Sequence, residues 1–492
     1  MSTDVVIAPQ ARTLGLGSVP VWAWFGVWAY ATILINGNVL LGDSDTYWQI
    51  LTGKWIIEHH ALPRVDFYSF TRSGVPWISS SWLAQVLYAQ AYELAGWAGP
   101  VVLSAAAIAA TAAQLAFILS RRIAPTLAVL IAFAALMLFV DHMLARPYVL
   151  AFPFLLAWAN GLLSASERRE PPSLLLLPLI AVWANLHGGF LFGLVLVGGF
   201  ALDALWNAEA SQRRSLALRW AAFGIGAVAA CCVTPYGWQS FLAARNILDL
   251  GEVLHVIAEW MPVNFSTLTG FGAAMLMLLA AAFYAGIRLS PPRIALLLGL
   301  MHMALSHVRN VELFALLVPL VMLEPVATQF GLKREPRGDK PFSAGSLVLV
   351  AVVVIASTWA FAARATFAPP AGQSPAAAVA TLKASHAKRV LNDLPFGGYL
   401  IWQGIPVFLD GRAELYGETF EMAYFRALQL KDVDLFLDLL KRHDIDATLL
   451  TPGTPAVGLL DRLDGWRRVY ADDIAVVHAR VGGGAGSTIR PH

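Results

Sequence analysis

Residues 19–48 read VPVWAWFGVWAYATILINGNVLLGDSDTYW and set the plan of the chain. Residues 19–41 form an uncharged, mostly apolar run, and a helix of about 20 apolar residues crosses a hydrocarbon core roughly 30 Å thick. Two acids, Asp43 and Asp45, follow the run directly, and Tyr47 and Trp48 come next. We therefore predict a membrane span that delivers two carboxylates and an aromatic pair to one surface of the bilayer.

The rest of the chain repeats this apolar pattern. Of its 492 residues, 58% are hydrophobic and 13% are charged, whereas a soluble domain carries about 25% charged residues. The net charge of +2 gives no indication of a nucleic-acid partner. By the length rule, the sequence predicts a mainly α, polytopic transmembrane bundle of about eleven spans. They lie near 19–41, 101–119, 125–141, 147–164, 173–187, 190–207, 217–233, 269–287, 294–306, 311–330 and 345–364.

The stretch 173–207 leaves two interpretations open. Residues 187–189 form either a tight turn between two short spans or a polar break within one long span. The basic residues predict the orientation, because Lys and Arg are enriched in the cytoplasmic loops of membrane proteins. With the N-terminus in the cytoplasm, each short basic cluster falls on the cytoplasmic side. The clusters are Arg121 and Arg122; Arg168 and Arg169; Arg213, Arg214 and Arg219; Arg288 and Arg293; and Lys333, Arg334, Arg337 and Lys340.

An odd number of spans then places the C-terminus on the other side, together with the long loop 42–100. We expect a multi-pass protein of a bacterial inner (cytoplasmic) membrane, with its C-terminal domain in the periplasm or outside the cell. This loop, 42–100, is called the first outer loop below.

The composition changes after the predicted transmembrane region, 1–364. Residues 365–378 are rich in Ala and Pro and predict a linker. Residues 379–480 predict a small soluble α/β domain, and residues 481–492 predict a disordered tail. Within the domain, four stretches have the composition of strands and one has helical periodicity. The strand-like stretches are RVLND (389–393), PVFLD (406–410), ATLLT (447–451) and IAVVHAR (474–480), and the helical one is VDLFLDLLKRHD (432–443).

Several ionisable residues near span ends fall on the predicted outer side: Arg146, His187, Glu259, His307 and Arg309. Charges at membrane depth are costly and usually line a water-filled cavity or a functional site. An alternative holds for the two arginines, since long side chains at span ends also snorkel or pair with nearby acids. A lone histidine at a span end is more often a hydrogen-bonded structural group.

The loop 234–268 carries Glu252, His255 and Glu259 at i, i+3, i+7 spacing. On one face of a helix, this spacing suits a metal or a sugar site, and it suits a solvated helix face as well. Trp260 would stack on a sugar ring or anchor the loop at the membrane interface.

The first outer loop continues with an amphipathic stretch, 46–59, which predicts a helix lying in the membrane interface. Asp43 and Asp45 are then typical of N-terminal caps of that helix as well as of catalytic acids. Asp66 follows Leu62 and Pro63 and is also typical of a turn.

These residues resemble the glycosyltransferase C superfamily, polytopic membrane enzymes that take a sugar from a polyprenyl-phosphate-linked donor on the non-cytoplasmic side. The resemblance lies in an acid directly after the first span, an aromatic residue two positions on, an interfacial helix and the acid-bearing segment 62–66. It implies Asp45 as the catalytic carboxylate, with Asp43 second. It also implies a lipid-linked sugar donor and a glycan, lipid or protein acceptor. No WWDYG-like sequence occurs, so an oligosaccharyltransferase is not indicated.

Such a transfer needs a base for the acceptor hydroxyl and positive charge for the phosphate leaving group. The expected substrate and phosphate contacts are Asp66, Arg146, His187, Glu259, His307, Arg309 and Arg412. A turn with an internal Asp410–Arg412 salt bridge is an alternative for Arg412. Asp43 and Asp45 would also suit a divalent cation held against phosphate oxygens, and no other cofactor is indicated.

Two other classes of function remain open. A transporter or flippase for lipid-linked glycans would have repeated halves and a polar site at the membrane midplane, and neither is evident in the sequence. A polymerase or ligase of surface polysaccharide is a close variant of the transferase. A non-enzymatic assembly factor would use the outer domain for docking and would not need Asp45.

Overall fold

The computed structural model describes residues 19–334 and 344–481. Each of the eleven predicted spans contains a helix, and the turn at 187–189 separates two of them. The N-terminal helices, α1 to α15, are Val21–Ile35, Gly37–Leu40, Asp45–His59, Trp82–Ala95, Ala98–Ser120, Pro125–Leu138, Pro147–Arg168, Leu177–Leu186, Phe190–Asn207, Ala210–Cys231, Gln239–Leu248, Gly270–Ala285, Pro291–Ser306, Val311–Gln329 and Ala344–Ala362. The predicted tail beyond residue 481 and the first 18 residues lie outside the described part.

Within residues 19–334 and 344–481, four helical segments are long and apolar enough to cross a bilayer: Ala98–Ser120, Pro147–Arg168, Phe190–Asn207 and Val308–Gln329. Several shorter helices are apolar on faces that the other described residues leave uncovered. Phe283 and Tyr284 on α12 and Trp359 on α15 are almost fully exposed. Large uncovered apolar surfaces of this kind are typical of contact with lipid. The count of about eleven spans stays a prediction.

The two ends of the helical bundle carry different residues. Helix α7 begins just after Arg146 and ends at Arg168, so it separates these ends by about 30 Å at 1.5 Å per residue. At the Arg168 end, Arg122 pairs with Glu167 at 2.7 Å and Arg293 pairs with Asp203 at 2.9 Å. Arg169 and Arg288 of the predicted cytoplasmic clusters line a cavity at this end together with Arg293, whereas Arg337 and Lys340 lie outside the described residues.

The C-terminal part packs six helices around a four-stranded sheet. Helices α16 to α21 are Ala376–Ala384, Gly397–Trp402, Ala413–Tyr416, Glu418–Leu428, Val433–Arg442 and Pro455–Leu460. Strands β1 to β4 are Val390–Asn392, Ala447–Leu450, Trp466–Ala471 and Val476–Arg480, in the order β1-β2-β4-β3. Strands β1 and β2 are parallel, and the other two pairings are antiparallel. The sequence prediction missed β3.

The predicted strand 406–410 is wrong. The side chain of Asn392 takes the place of a strand partner, because its amide accepts from Phe408 N at 2.9 Å and donates to Leu409 O at 2.8 Å. Val407 instead forms single bridges to Val390 and to Ser69 of the first outer loop. The edge of the sheet is therefore joined to the loop that carries Asp43 and Asp45.

Helix α3, predicted as an interfacial helix, is confirmed as a helix but not as a surface one. Its Trp48 is buried in the same hydrophobic core as the C-terminal sheet. On another side of the helix, a β-carbon on Gly53 would lie 2.0 Å from the carbonyl oxygen of Gln85, so α3 and α4 pack closely. The apolar positions of α3 thus face protein, because the first outer loop lies between the bundle and the C-terminal part.

Candidate active site

Arg146 is the central residue of the candidate site, and it directly precedes helix α7. Pro147 occupies the first turn of α7, where the missing N–H removes no hydrogen bond. Arg146 therefore lies at the end of the helical bundle opposite Arg168. Two hydrogen bonds to the backbone of Ala145 fix the segment before it: Ala145 N donates to Leu40 O of α2 at 2.7 Å, and Thr46 Oγ1 of the first outer loop donates to Ala145 O at 3.2 Å.

The guanidinium of Arg146 contacts three carboxylates from two distant loops. Nε pairs with Asp43, Nη2 with Asp45 Oδ2 at 2.9 Å, and Nη1 with Glu259 Oε2 at 2.8 Å. The second oxygen of Asp45 accepts from Trp48 Nε1 at 3.0 Å. Asp43, Asp45, Arg146 and Glu259, which the sequence predicted as site residues, thus form one group, called the Arg146 cluster below.

Arg309 supplies a second cation beside this cluster. Its Nη1 lies 3.3 Å from Glu259 Oε1, and its guanidinium carbon lies 4.3 Å from the centre of the Trp260 ring. The ring of Trp260 therefore faces an arginine and does not lie open for a sugar. His307 is close by, with Nδ1 2.7 Å from Trp260 O. The turn between α13 and α14 brings both predicted residues to the cluster.

His187 lies in the turn between α8 and α9, at the same end of the bundle. Its Nδ1 accepts from Gly189 N at 3.1 Å, and its ring centre is 6.1 Å from that of Tyr148. Tyr148 follows Arg146 by two residues, so His187 borders the Arg146 cluster without a direct ion pair to it. A tight turn here is one of the two interpretations that the sequence left open, and α8 and α9 end and begin on either side of it.

The carboxyl groups of Asp45 and Glu259 differ in pKa. Burial raises the pKa of Asp45 to about 7. The positive charge of Arg146 lowers this pKa, but the negative charges of Asp43 and Glu259 partly offset its effect. Burial also opposes the ionisation of Glu259, but Arg146 and Arg309 together hold its pKa at about 2. Of these two groups, Asp45 is therefore the one that gains and loses a proton near neutral pH, as a general base must.

Asp66 and Arg412, also predicted as substrate contacts, lie in a different place. Arg412 Nη1 is 2.7 Å from Asp66 Oδ1, and its Nη2 is 2.6 Å from Asp410 Oδ2. Tyr416 donates to the same Asp410 oxygen at 2.8 Å. All three ionic side chains are 0% exposed, so a substrate would not reach them in this conformation. The internal Asp410–Arg412 salt bridge, the alternative from the sequence, is present.

The predicted helical face of Glu252, His255 and Glu259 is wrong. The loop breaks into two short 3₁₀ turns, Gly251–His255 and Ala258–Trp260. Glu259 points to the Arg146 cluster, whereas Glu252 lies 3.6 Å from Arg426 of the C-terminal part. The break arises because Val253 and Leu254 bury themselves in a small apolar cluster beside Ala413 and Met422.

Sequence reasoning missed two contributors to the site. Trp48 donates to Asp45, and its i, i+3 spacing from Asp45 on a helix was the available signal. Gly411 was the other, because a β-carbon there would lie 2.0 Å from Asp45 Oδ1. No local pattern predicts that approach, since the two residues come from opposite ends of the chain.

Two cavities open elsewhere on the molecule. The larger, about 660 Å³, lies at the Arg168 end of the bundle, opposite the Arg146 cluster, and Asp203 and Arg293 line it. The smaller, about 510 Å³, lies between α4, α8 and residues 233–235, which follow α10, and it is lined mainly by apolar side chains together with the polar Asn185. Within residues 19–334 and 344–481, no three His, Cys, Asp or Glu side chains are grouped as metal ligands.

Comparison with known proteins gives a likeness of fold only. No family model matches the chain, and no curated protein matches it. Among solved structures it resembles the archaeal oligosaccharyltransferase AglB from Archaeoglobus fulgidus, in complex with an inhibitory peptide and a dolichol-phosphate. The TM-score is 0.50 at 10% sequence identity, over 87% of this chain and 70% of that chain. The chain therefore has a fold similar to that of this oligosaccharyltransferase.

Proposed function

We propose that this protein is a membrane glycosyltransferase that moves a sugar from a polyprenyl-phosphate-linked donor to an envelope glycan, lipid or protein on the non-cytoplasmic side. The observation that carries the proposal is the Arg146 cluster. Its residues come from the first outer loop, the start of α7 and the loop 234–268, and they meet at one end of the bundle beside Arg309. The fold likeness to an enzyme solved with a dolichol-phosphate supports the choice of donor.

The division of labour follows from charge and exposure. Asp45 takes the proton of the acceptor hydroxyl, since its raised pKa makes it a base near neutral pH. Arg309 binds the donor phosphate, because its guanidinium uses one nitrogen on Glu259 and planar guanidinium groups suit bidentate phosphate contact. His187 and His307 border the position of the phosphate. As the acceptor oxygen attacks the sugar, the bond to the phosphate breaks and its developing charge meets Arg309.

The segregation of charge favours surface chemistry over transport. The acids and histidines of the proposed site gather at one end of the bundle, and the basic clusters gather at the other. An alternating-access transporter would place its polar site near the middle of the bundle. A polymerase or ligase for lipid-linked glycans would use the same site with a longer acceptor.

The test is Asp45→Asn, which removes the base but keeps the size of the side chain. Transfer of labelled sugar from membrane lipid to envelope material should fall roughly 10²- to 10⁴-fold, the usual contribution of a general base. The matched control is Asp249→Asn, an exposed acid in the loop 234–268 that forms an i, i+4 pair with Arg245. Both variants should insert into membranes at the wild-type level. Wild-type transfer by Asp45→Asn would exclude Asp45 as the base.

A further inference from the structure

Arg146 occupies the position at which a divalent cation would have to bind Asp43, Asp45 and Glu259. Its three nitrogens each contact a different carboxylate, and Arg309 contacts the remaining oxygen of Glu259. The guanidinium group of Arg146 is planar and always charged. The three carboxylate oxygens that it contacts therefore lie along its edges and do not converge on one point.

These oxygens do not fit a divalent metal as they stand. Magnesium and calcium need oxygens converging within about 2.0–2.6 Å of one centre. Here the oxygens of Asp45 and Glu259 lie 2.9 and 2.8 Å from different nitrogens of one guanidinium. A metal ion would have to displace the guanidinium of Arg146 from the carboxylates. The arginine charge would then be left without a partner in a site where only 18% of the Arg146 side chain is exposed.

We propose that Arg146 is the resident cation of the site, so that the transfer proceeds without a divalent metal. The inference rests on the proposed function for the reaction that it describes. The ion pairs of Arg146 with the three carboxylates do not depend on that function. Arg146 holds Asp43 and Asp45 in place. Arg309 is then the cation that meets the donor phosphate, and Glu259 positions it.

Manganese binding to the purified full-length chain tests the assignment without any sugar substrate. The chain is held in nanodiscs of zwitterionic lipid, and free Mn²⁺ is measured by electron paramagnetic resonance during titration with MnCl₂. Wild-type protein and Asp45→Asn should give superimposable curves. Arg146→Gln, which leaves three carboxylates without their cation, should bind one Mn²⁺ at least tenfold more tightly than wild type.

The matched control is Arg426→Gln, because Arg426 is exposed and pairs with a different carboxylate, Glu252. Its curve should match that of wild type. A second variant, Arg146→Lys, covers the case in which Arg146→Gln aggregates, and it should gain a smaller affinity for Mn²⁺. Two results overturn the proposal: a Mn²⁺ site in wild type that Asp45→Asn removes, or no gain of Mn²⁺ binding in a folded Arg146 variant.

An assay of sugar transfer in native membranes separates this inference from the proposed function. Transfer that persists in EDTA supports both. Transfer that stops in EDTA and returns with Mn²⁺ overturns the role of Arg146 but keeps the enzyme. No transfer under any condition would count against the proposed function, while the Mn²⁺ titration would still decide the nature of the site.

Discussion

Two arginines in this molecule are held by acids of the first outer loop, and their surroundings differ. Arg146 contacts Asp43 and Asp45, and Arg412 contacts Asp66. Arg412, Asp66 and Asp410, called the Arg412 group, are fully buried. The ring centres of Tyr68 and Trp77 lie 5.2 and 4.7 Å from the guanidinium carbon of Arg412. In the Arg146 cluster, Glu259 keeps a third of its side chain exposed.

The difference separates a structural ion pair from a site available for chemistry. The Arg412 group ties the first outer loop to the C-terminal sheet, and it excludes both water and substrate. The Arg146 cluster keeps access to solvent and adds a further arginine and histidines. Trp48 connects the two, since it donates to Asp45 and its ring lies 5.9 Å from the Arg412 guanidinium.

The largest expected effect on stability comes from Arg412→Met. Removing one partner of a buried ion pair leaves unpaired charge and costs about 3–5 kcal/mol. The control is Arg442→Met, since Arg442 is exposed and its i, i+4 pair with Asp438 is worth roughly 0.5 kcal/mol. Denaturant unfolding of the purified chain, followed by Trp fluorescence, measures both. A loss of unfolding free energy below about 1 kcal/mol for Arg412→Met would contradict the structural role assigned to the buried ion pairs of Arg412.

A smaller effect, on activity alone, follows from Arg309→Gln. A hydrogen bond to a charged group contributes about 1.5–3 kcal/mol, so kcat/KM for the lipid-linked donor should fall roughly 10- to 100-fold. Initial rates against donor concentration measure this loss. Arg245→Gln, at an exposed position in the loop 234–268, should keep the wild-type rate. If both variants lose activity equally, general positive charge and not the position of Arg309 explains donor binding.

The pH dependence of transfer should depend on Asp45. Because its pKa is raised to about 7, the base is protonated in acid and the rate should rise with pH through this value. Asp43→Asn removes a like charge that raises the pKa, so the acid limb should move to lower pH. The measurement is the pH profile of kcat/KM for wild type and variant. An unchanged limb in Asp43→Asn would assign the titration to another group.

The smallest expected effect concerns Glu421, a buried acid of the C-terminal part whose pKa burial raises to about 8. Its folded-state pKa lies above the ordinary value of 4.5, so ionisation lowers stability progressively as pH rises from about 4.5 to about 8. Glu421→Gln should therefore stabilise the chain by roughly 1 kcal/mol at pH 8 and leave it unchanged at pH 4. Melting curves at both values measure this, and exposed Glu58→Gln should change neither.

Local sequence predicted much of the fold because helices and spans are local structures. Apolar runs of span length all contain helices, and the strands at 390–392, 447–450 and 476–480 lie within predicted strands. Helix α20 begins where the sequence indicated, after Asp432, whose side chain accepts from Leu435 N at 2.9 Å. The stretch 406–410 has strand composition but is held by a side chain of β1, which composition does not encode.

The sequence by itself determined which residue types lie at which end of the bundle, because span length and basic loops follow from local composition. Only the tertiary structure decided which acids share an arginine. Asp45 and Arg146 are 101 positions apart, and Arg146 and Glu259 are 113 apart. It also decided that Asp66 and Arg412 are sealed away from the cluster. Burial and ion pairing depend on contacts between distant segments, and those contacts form only when the bundle, the first outer loop and the sheet pack together.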